Sequence, residues 1–139
     1  MEVLLASSKQ AINQPLILAV DDDADSLFIL TEVIKSNNFS CVTATDGSSA
    51  ISLAQRYQPA LILLDILLPD FNGTEVVRHL RKNPQTQLTP IIAVTALAKE
   101  EDYRRIMAAG CDDYITKPYM LDDLEKVIFH HLCHTAAIA

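Results

Sequence analysis

The chain has 139 residues, half of them apolar and about a fifth charged, and eleven Lys+Arg against eighteen Asp+Glu leave a formal net charge of -7. That length predicts one domain with enough interior for a core, and the composition excludes a largely disordered chain. An acidic balance with no Lys/Arg cluster argues against direct nucleic-acid binding, and no apolar run approaches the ~18 residues of a membrane span.

Residues 1–14 are mixed and polar and read as a tail; Glu2 and the lack of a basic opening exclude a signal peptide. A domain is expected over 15–134, with a short tail at 135–139. Leu16–Val20 is an almost continuous apolar run and predicts a strand buried on both faces. Leu27, Leu30, Thr31 and Ile34 then form a helical stripe. A strand follows at Cys41–Ala44 and a helix on Ala50, Leu53, Ala54 and Tyr57. Leu61–Leu64 repeats the buried-strand pattern, and Gly73, Val76, Val77 and Leu80 the helical one. Ile91–Val94 predicts the fourth strand, and Tyr103, Ile106, Met107 and Gly110 the fourth helix. That helix opens on Glu100, Glu101 and Asp102 and meets Gly110, which suits the helix dipole and a glycine C-cap. Tyr114–Thr116 and a stripe of Leu121, Leu124, Ile128 and Leu132 complete the pattern. Cys41, Cys111 and Cys133 are odd in number and scattered, which predicts a reducing, cytoplasmic setting.

Five β–α units imply a three-layer, doubly wound α/β fold with a parallel sheet. The favoured strand order is 2-1-3-4-5, with the ligand crevice outside the carboxyl ends of the strands. Those ends carry the chemistry. The first strand runs into Asp21, Asp22 and Asp23, the third into Asp65, the fourth into Thr95, and the fifth is followed by Lys117 and Pro118. Converging carboxylates repel one another, and a hard divalent cation such as Mg²⁺ relieves the repulsion. A carboxylate, a cation, a hydroxyl and a lysine are the parts that move a phosphoryl group. Asp23 and Asp25 are expected only to cap or solvate the first helix.

The segments LILAVDDDADSL (16–27), LILLDILLPDFNG (61–73), IIAVTALA (91–98) and AAGCDDYITKPY (108–119) resemble the receiver domain of two-component response regulators, from Pro15 to about Leu132. The resemblance implies a flavodoxin-like (βα)5 fold and a signalling switch rather than a conventional enzyme. It implies that Asp65 is the phospho-acceptor. Asp21 and Asp22, with Asp65 and the backbone carbonyl of Leu67, would hold Mg²⁺. The Thr95 hydroxyl and the Ala96 amide would bind phosphoryl oxygens, and Lys117 would pair with the phosphoryl group. Thr95 and Tyr114 would form the switch that remodels the face of the fourth helix, fifth strand and fifth helix. The implied partners are a sensor histidine kinase or histidine phosphotransfer protein as donor, and a downstream protein target. The oligomeric state is left open, and that same face is the surface expected to pair if two copies associate. Leu68 stands where Met is common in such proteins. Leu67 and Leu97 flank the site, and they are expected to restrict water and lengthen the life of the phosphoryl group.

Other readings fit less of the chain. In a phosphohydrolase of the haloacid dehalogenase type, Asp21 would be the nucleophile and Asp23 the acid/base, which leaves Asp65 without a role. Asp21, Asp23, Asp25 and Glu32 match positions 1, 3, 5 and 12 of a calcium loop, but Ser26 replaces the required glycine and a strand precedes it. His130, His131, Cys133 and His134 have metal-ligand spacing, yet they sit at an expected helix end. His79 is expected at the surface. A constitutive docking module would use the same fold without phosphorylation.

Overall fold

The computed structural model describes residues 14–138, with side chains to Leu132. In chain order the elements are β1 (Leu16–Val20), α1 (Ala24–Ser36), β2 (Ser40–Ala44), α2 (Gly47–Tyr57), β3 (Leu61–Leu64), α3 (Gly73–Lys82), β4 (Ile91–Thr95), α4 (Glu100–Ala109), β5 (Asp113–Thr116) and α5 (Leu121–Ile138). The strands form one five-stranded sheet in the order β2-β1-β3-β4-β5, parallel throughout. This is the expected doubly wound architecture.

Side-chain alternation along the central strands divides the core in two. Ile17, Ala19, Leu61, Leu63, Ile92 and Val94 face α1 and α5, where Leu30, Val33, Ile34, Leu124 and Ile128 cover them. Leu18, Val20, Ile62, Leu64, Ile91 and Ala93 face α2, α3 and α4, under Ala50, Ala54, Val76, Val77, Leu80 and Ile106. Residues of β1, β3 and β4 are buried with few exceptions, whereas β2 and β5 at the sheet edges are mostly half-buried.

The helix starts follow from local chemistry. Asp23 caps α1 by accepting the Ser26 N–H, Asp46 caps α2 through the Ser49 N–H, and Asn72 caps α3 through the Thr74 N–H. The Lys99 side chain makes no capping bond, and Glu100, Glu101 and Asp102 supply negative charge to the first turn of α4 instead. Gly110 ends α4 at φ 121°, a conformation that side chains with a Cβ rarely adopt.

The differences from expectation are small and have physical reasons. β2 and β5 begin one residue earlier, at Ser40 and Asp113, and β4 ends one later, at Thr95. These polar residues are recruited by backbone register, Ser40 opposite Leu16, Asp113 opposite Ile92 and Thr95 opposite Thr116. Tyr57, Tyr103 and Leu121 lie at the ends of their stripes and are about half exposed, while Val33 adds an unexpected buried residue to α1. α5 continues across the expected domain edge at 134, where Ala136 and Ala137 are strong helix formers. The N-terminal tail, up to residue 13, lies outside the described residues. Among the described residues no helix is long and apolar enough to cross a membrane.

Arg81 near the end of α3 organises the turns on the far side of the sheet. Its Nε donates to the Gly110 carbonyl at 2.9 Å, and Nη1 donates to the carbonyls of Thr89 at 2.7 Å and Gln87 at 3.1 Å. Nη2 pairs with Asp112 at 2.7 Å, and the same carboxylate oxygen accepts the Ile91 N–H at 2.8 Å. One guanidinium thus joins α3, the start of β4 and the α4–β5 turn. Arg81→Ala should destabilise the fold by about 2–3 kcal/mol, because it strips a donor from several partly buried acceptors at once. Urea denaturation measures this, and a loss below about 0.5 kcal/mol, the range of an ordinary surface change, would contradict it.

Candidate active site

Parallel strands deliver their carboxyl ends to one edge, and four of those ends meet there. Asp21 leaves β1 with its N–H bonded to the Ala44 carbonyl, and Asp65 leaves β3 with its N–H bonded to the Val20 carbonyl. The Asp21 carboxylate is buried. Its Oδ1 accepts the Asp23 N–H at 2.9 Å and its Oδ2 accepts the Lys117 ammonium at 2.7 Å. The Asp65 carboxylate accepts the Leu67 N–H on Oδ1 at 3.1 Å and the same Lys117 ammonium on Oδ2 at 3.1 Å. Asp22 is exposed at the mouth, and carboxylate oxygens of Asp21, Asp22 and Asp65 lie within 4.8 Å of one another.

The electrostatics follow from this crowding. Burial pushes the Asp21 carboxyl above the usual carboxylate range, the Asp65 charge adds to the shift, and the Lys117 and Asp23 donors oppose it. Burial alone would lower the Lys117 pKa, but its bonds to Asp21 and Asp65 outweigh that and raise it. A single ammonium therefore holds together two carboxylates that are largely shielded from water. An all-oxygen donor set of crowded carboxylates, one buried and another facing solvent, suits a hard divalent cation. Asp21, Asp22 and Asp65 have the residue types and the proximity to hold one. Leu67 is half exposed two residues after Asp65, with its N–H tied to that carboxylate.

The remaining predicted residues lie on β4, on β5 and in the loop after β4. Thr95 is buried at the end of β4. Its carbonyl accepts the Lys117 N–H at 2.9 Å, and its hydroxyl oxygen accepts the Leu97 N–H at 3.4 Å. Ala96 and Lys117 line a cleft of about 470 Å³ together with Ile29, Pro118, Tyr119 and Leu121. Tyr114 on β5 is half-buried against α4, its ring packed edge-on against Tyr103 at 5.5 Å. Burial raises the Tyr114 pKa, and its buried hydroxyl has no hydrogen-bond partner among the described residues. An unsatisfied hydroxyl makes this ring position costly to keep.

Two contributors have roles that the sequence pattern does not reveal. Gly73 stands in a helical stripe and ends the LILLDILLPDFNG segment, but the pattern shows no reason for a glycine there. In the structure a Cβ at this position would stand 2.6 Å from the Ile66 Cα and 2.9 Å from the Asp65 carbonyl oxygen. Both neighbours are backbone and cannot swing aside. Gly73→Ala should cost about 1–3 kcal/mol and push Asp65 out of place. Denaturation together with a phosphoryl-uptake assay checks this, and wild-type values in both would refute it. The second contributor is Asp70, whose carboxylate accepts the Gly47 and Ser48 N–H groups at 2.7 and 2.9 Å. No local pattern could announce a partner more than twenty residues away.

The alternative sites do not assemble as their readings require. Asp23 is exposed and caps α1, so it is not poised as an acid/base beside a nucleophilic Asp21. β1 rather than a helix precedes the acidic run. His131 Nε2 lies 2.8 Å from Asp113 Oδ2, and its ring packs edge-on against His130. The Cys133 and His134 side chains lie outside the described residues. His79 is exposed.

The likeness to known proteins is extensive. The family model of the response regulator receiver domain matches residues 17–129. The polar-differentiation response regulator DivK of Brucella anthropi is 34% identical over 116 residues, which is 84% of this chain and 94% of DivK. Among solved structures, a CheY-like receiver domain protein from Methanospirillum hungatei superposes with a TM-score of 0.85 at 28% identity, covering 91% of this chain and all of that one. The receiver domain of a Pseudomonas aeruginosa sensor histidine kinase, solved with a magnesium ion coordinated in its active-site cleft, gives 0.81 at 28% identity, over 86% and 98% of the two chains. Strand order, converging acidic residues and these matches agree, and the chain belongs to the response regulator receiver domain family.

Proposed function

We propose that this receiver, as a unit spanning about 15–134, takes a phosphoryl group onto Asp65 from a phosphohistidine and switches a protein-binding face in response. The observation that carries this reading is the Lys117 ammonium bridging the carboxylates of Asp21 and Asp65, with Asp22 beside them. In the transfer, an Asp65 carboxylate oxygen attacks phosphorus, the phosphorus–nitrogen bond to the donor imidazole breaks, and an acyl phosphate forms. The imidazole leaves and takes its proton from solvent. Asp21, Asp22, Asp65 and the Leu67 carbonyl would hold Mg²⁺, which would supply positive charge at the transferring oxygens.

Within the chain, Lys117 exchanges its Asp65 contact for a phosphoryl oxygen. The Ala96 amide and the Thr95 hydroxyl donate to the other oxygens. Drawing the Thr95 hydroxyl toward the phosphoryl group takes it from the Leu97 N–H and alters packing at the start of the β4–α4 loop. Tyr114 then leaves a position in which its hydroxyl has no hydrogen-bond partner among the described residues, which biases a two-state α4–β5–α5 face. The donor is a sensor histidine kinase or histidine phosphotransfer protein, and the apolar cleft beside Lys117 gives it a place to seat. A downstream protein, or a second copy of the chain, reads the switched face. The setting is cytoplasmic, and direct nucleic-acid contact plays no part. Leu97, half-buried beside Thr95, limits the approach of hydrolytic water, with Leu67 at the rim.

Thr95→Ala tests the switch separately from the chemistry. Treated with Mg²⁺ and beryllofluoride, the wild type should show amide shifts at the site and across α4, β5 and α5. The variant should keep the shifts around Asp65 and lose most of those on the distal face. Equal distal shifts in both proteins would contradict the assignment of Thr95, and no distal shift in the wild type would favour a constitutive docking module.

A further inference from the structure

The loop from Asp65 to Asn72 carries two groups assigned to the cation site, the Asp65 carboxylate and the Leu67 carbonyl. Its base is fixed by the Asp65 N–H on Val20 and by the Gly73 N–H on the Ile66 carbonyl at 2.8 Å. Its far end is fixed on α2. Asp70 Oδ1 accepts the Gly47 N–H at 2.7 Å and Oδ2 accepts the Ser48 N–H at 2.9 Å, while the Phe71 N–H closes onto Oδ1 at 3.0 Å. The Phe71 ring fills the space over Gly47, where a Cβ would stand 2.8 Å from its Cε2. Partial desolvation would raise the Asp70 pKa, but the three N–H donors outweigh it and hold it at about 2, so the anchor stays charged across ordinary pH.

α2 does not need this anchor for its own cap, because Asp46 already accepts the Ser49 N–H at 2.7 Å. The additional carboxylate chiefly serves the loop. Helix N-terminal N–H groups are unpaired donors at the positive end of a dipole, which makes them a rigid place to tie an anionic side chain. A loop tied at both ends has few conformations left for the residues between.

We infer that Asp70, with Phe71, rivets the β3–α3 loop to the N-terminus of α2 and is a positioning residue for cation binding. It acts by holding Leu67 and Asp65 in the geometry that binds Mg²⁺. This rests on the reading of those two residues as ligands. Calorimetric titration of the full chain with Mg²⁺, well below the unfolding midpoint, tests it. Asp70→Ala should weaken Mg²⁺ about 10-fold, in the range seen when a group supporting metal ligands is removed. Asp70→Asn, which keeps one acceptor oxygen, should fall between that variant and the wild type. Asp46→Ala removes the cap of α2 itself, and should lower thermal stability while leaving Mg²⁺ affinity within twofold. An Asp70→Ala affinity within twofold of wild type overturns the inference, and so does an equal loss in Asp46→Ala. If Asp70→Ala does not fold, Asp70→Asn carries the same decision. Failure of the underlying ligand reading has its own signature: wild type and Asp65→Asn would bind Mg²⁺ alike, or not at all.

Discussion

Asp65→Asn is expected to take up no phosphoryl group from acetyl phosphate or phosphoramidate with Mg²⁺, under conditions that label the wild type to completion. The amide lacks the anionic oxygen that attacks phosphorus, and no neighbour can replace it. Asp21 is buried, and its two oxygens are engaged by the Asp23 N–H and by Lys117. Asp22 is exposed and makes no ion pair with Lys117 among the described residues. The fold should survive, since Asn matches Asp in shape and relieves the charge repulsion that helps raise the Asp21 pKa. Intact-mass spectrometry reads the result, and an unchanged thermal midpoint shows that lost labelling is not lost structure. A phosphorylated Asn variant would mean that the nucleophile lies elsewhere.

Lys117→Ala should have two separable effects. Uptake should slow by about 10²–10³-fold, the usual cost of losing one donor aimed at developing charge. The cation-free protein should also lose about 2–4 kcal/mol, because Asp21 and Asp65 remain buried and close with no counter-charge. Mg²⁺ should restore most of that stability, since a ligand binding only the folded state stabilises it by linkage. The rise in thermal midpoint on adding Mg²⁺ should therefore be larger in the variant than in the wild type. An unchanged uptake rate would remove Lys117 from the chemistry. An equal rise in both proteins would mean that Lys117 does not offset carboxylate repulsion.

The parts of this molecule that were legible in the sequence are those decided by local pattern. β1 and β3 are unbroken apolar runs because helices cover both faces, and their limits are as expected. The edge strands begin at Ser40 and Asp113, whose polarity hides them and whose backbones are claimed by a neighbouring strand. The convergence of Asp21, Asp65, Thr95 and Lys117 was legible because strand order alone places those ends together. Arg81 was not, since its acceptors are backbone carbonyls in turns and a chain-distant Asp112. The tie from Asp70 to α2 and the pairing of Tyr103 with Tyr114 depend likewise on contacts that no periodicity encodes. The outward Tyr103 also shows that a stripe residue can serve a neighbouring ring instead of the core.

The identity of the phosphorylated side chain can be read chemically. An acyl phosphate is reduced by borohydride to an alcohol, so phosphorylated aspartate becomes homoserine, and tandem mass spectrometry of the digested protein locates it. Wild-type chain phosphorylated with acetyl phosphate and Mg²⁺, then reduced, should carry homoserine at position 65 and nowhere else. Homoserine at position 21 would instead support the phosphohydrolase arrangement, and homoserine at 22, or none in protein already shown to be phosphorylated, would contradict Asp65 as the acceptor.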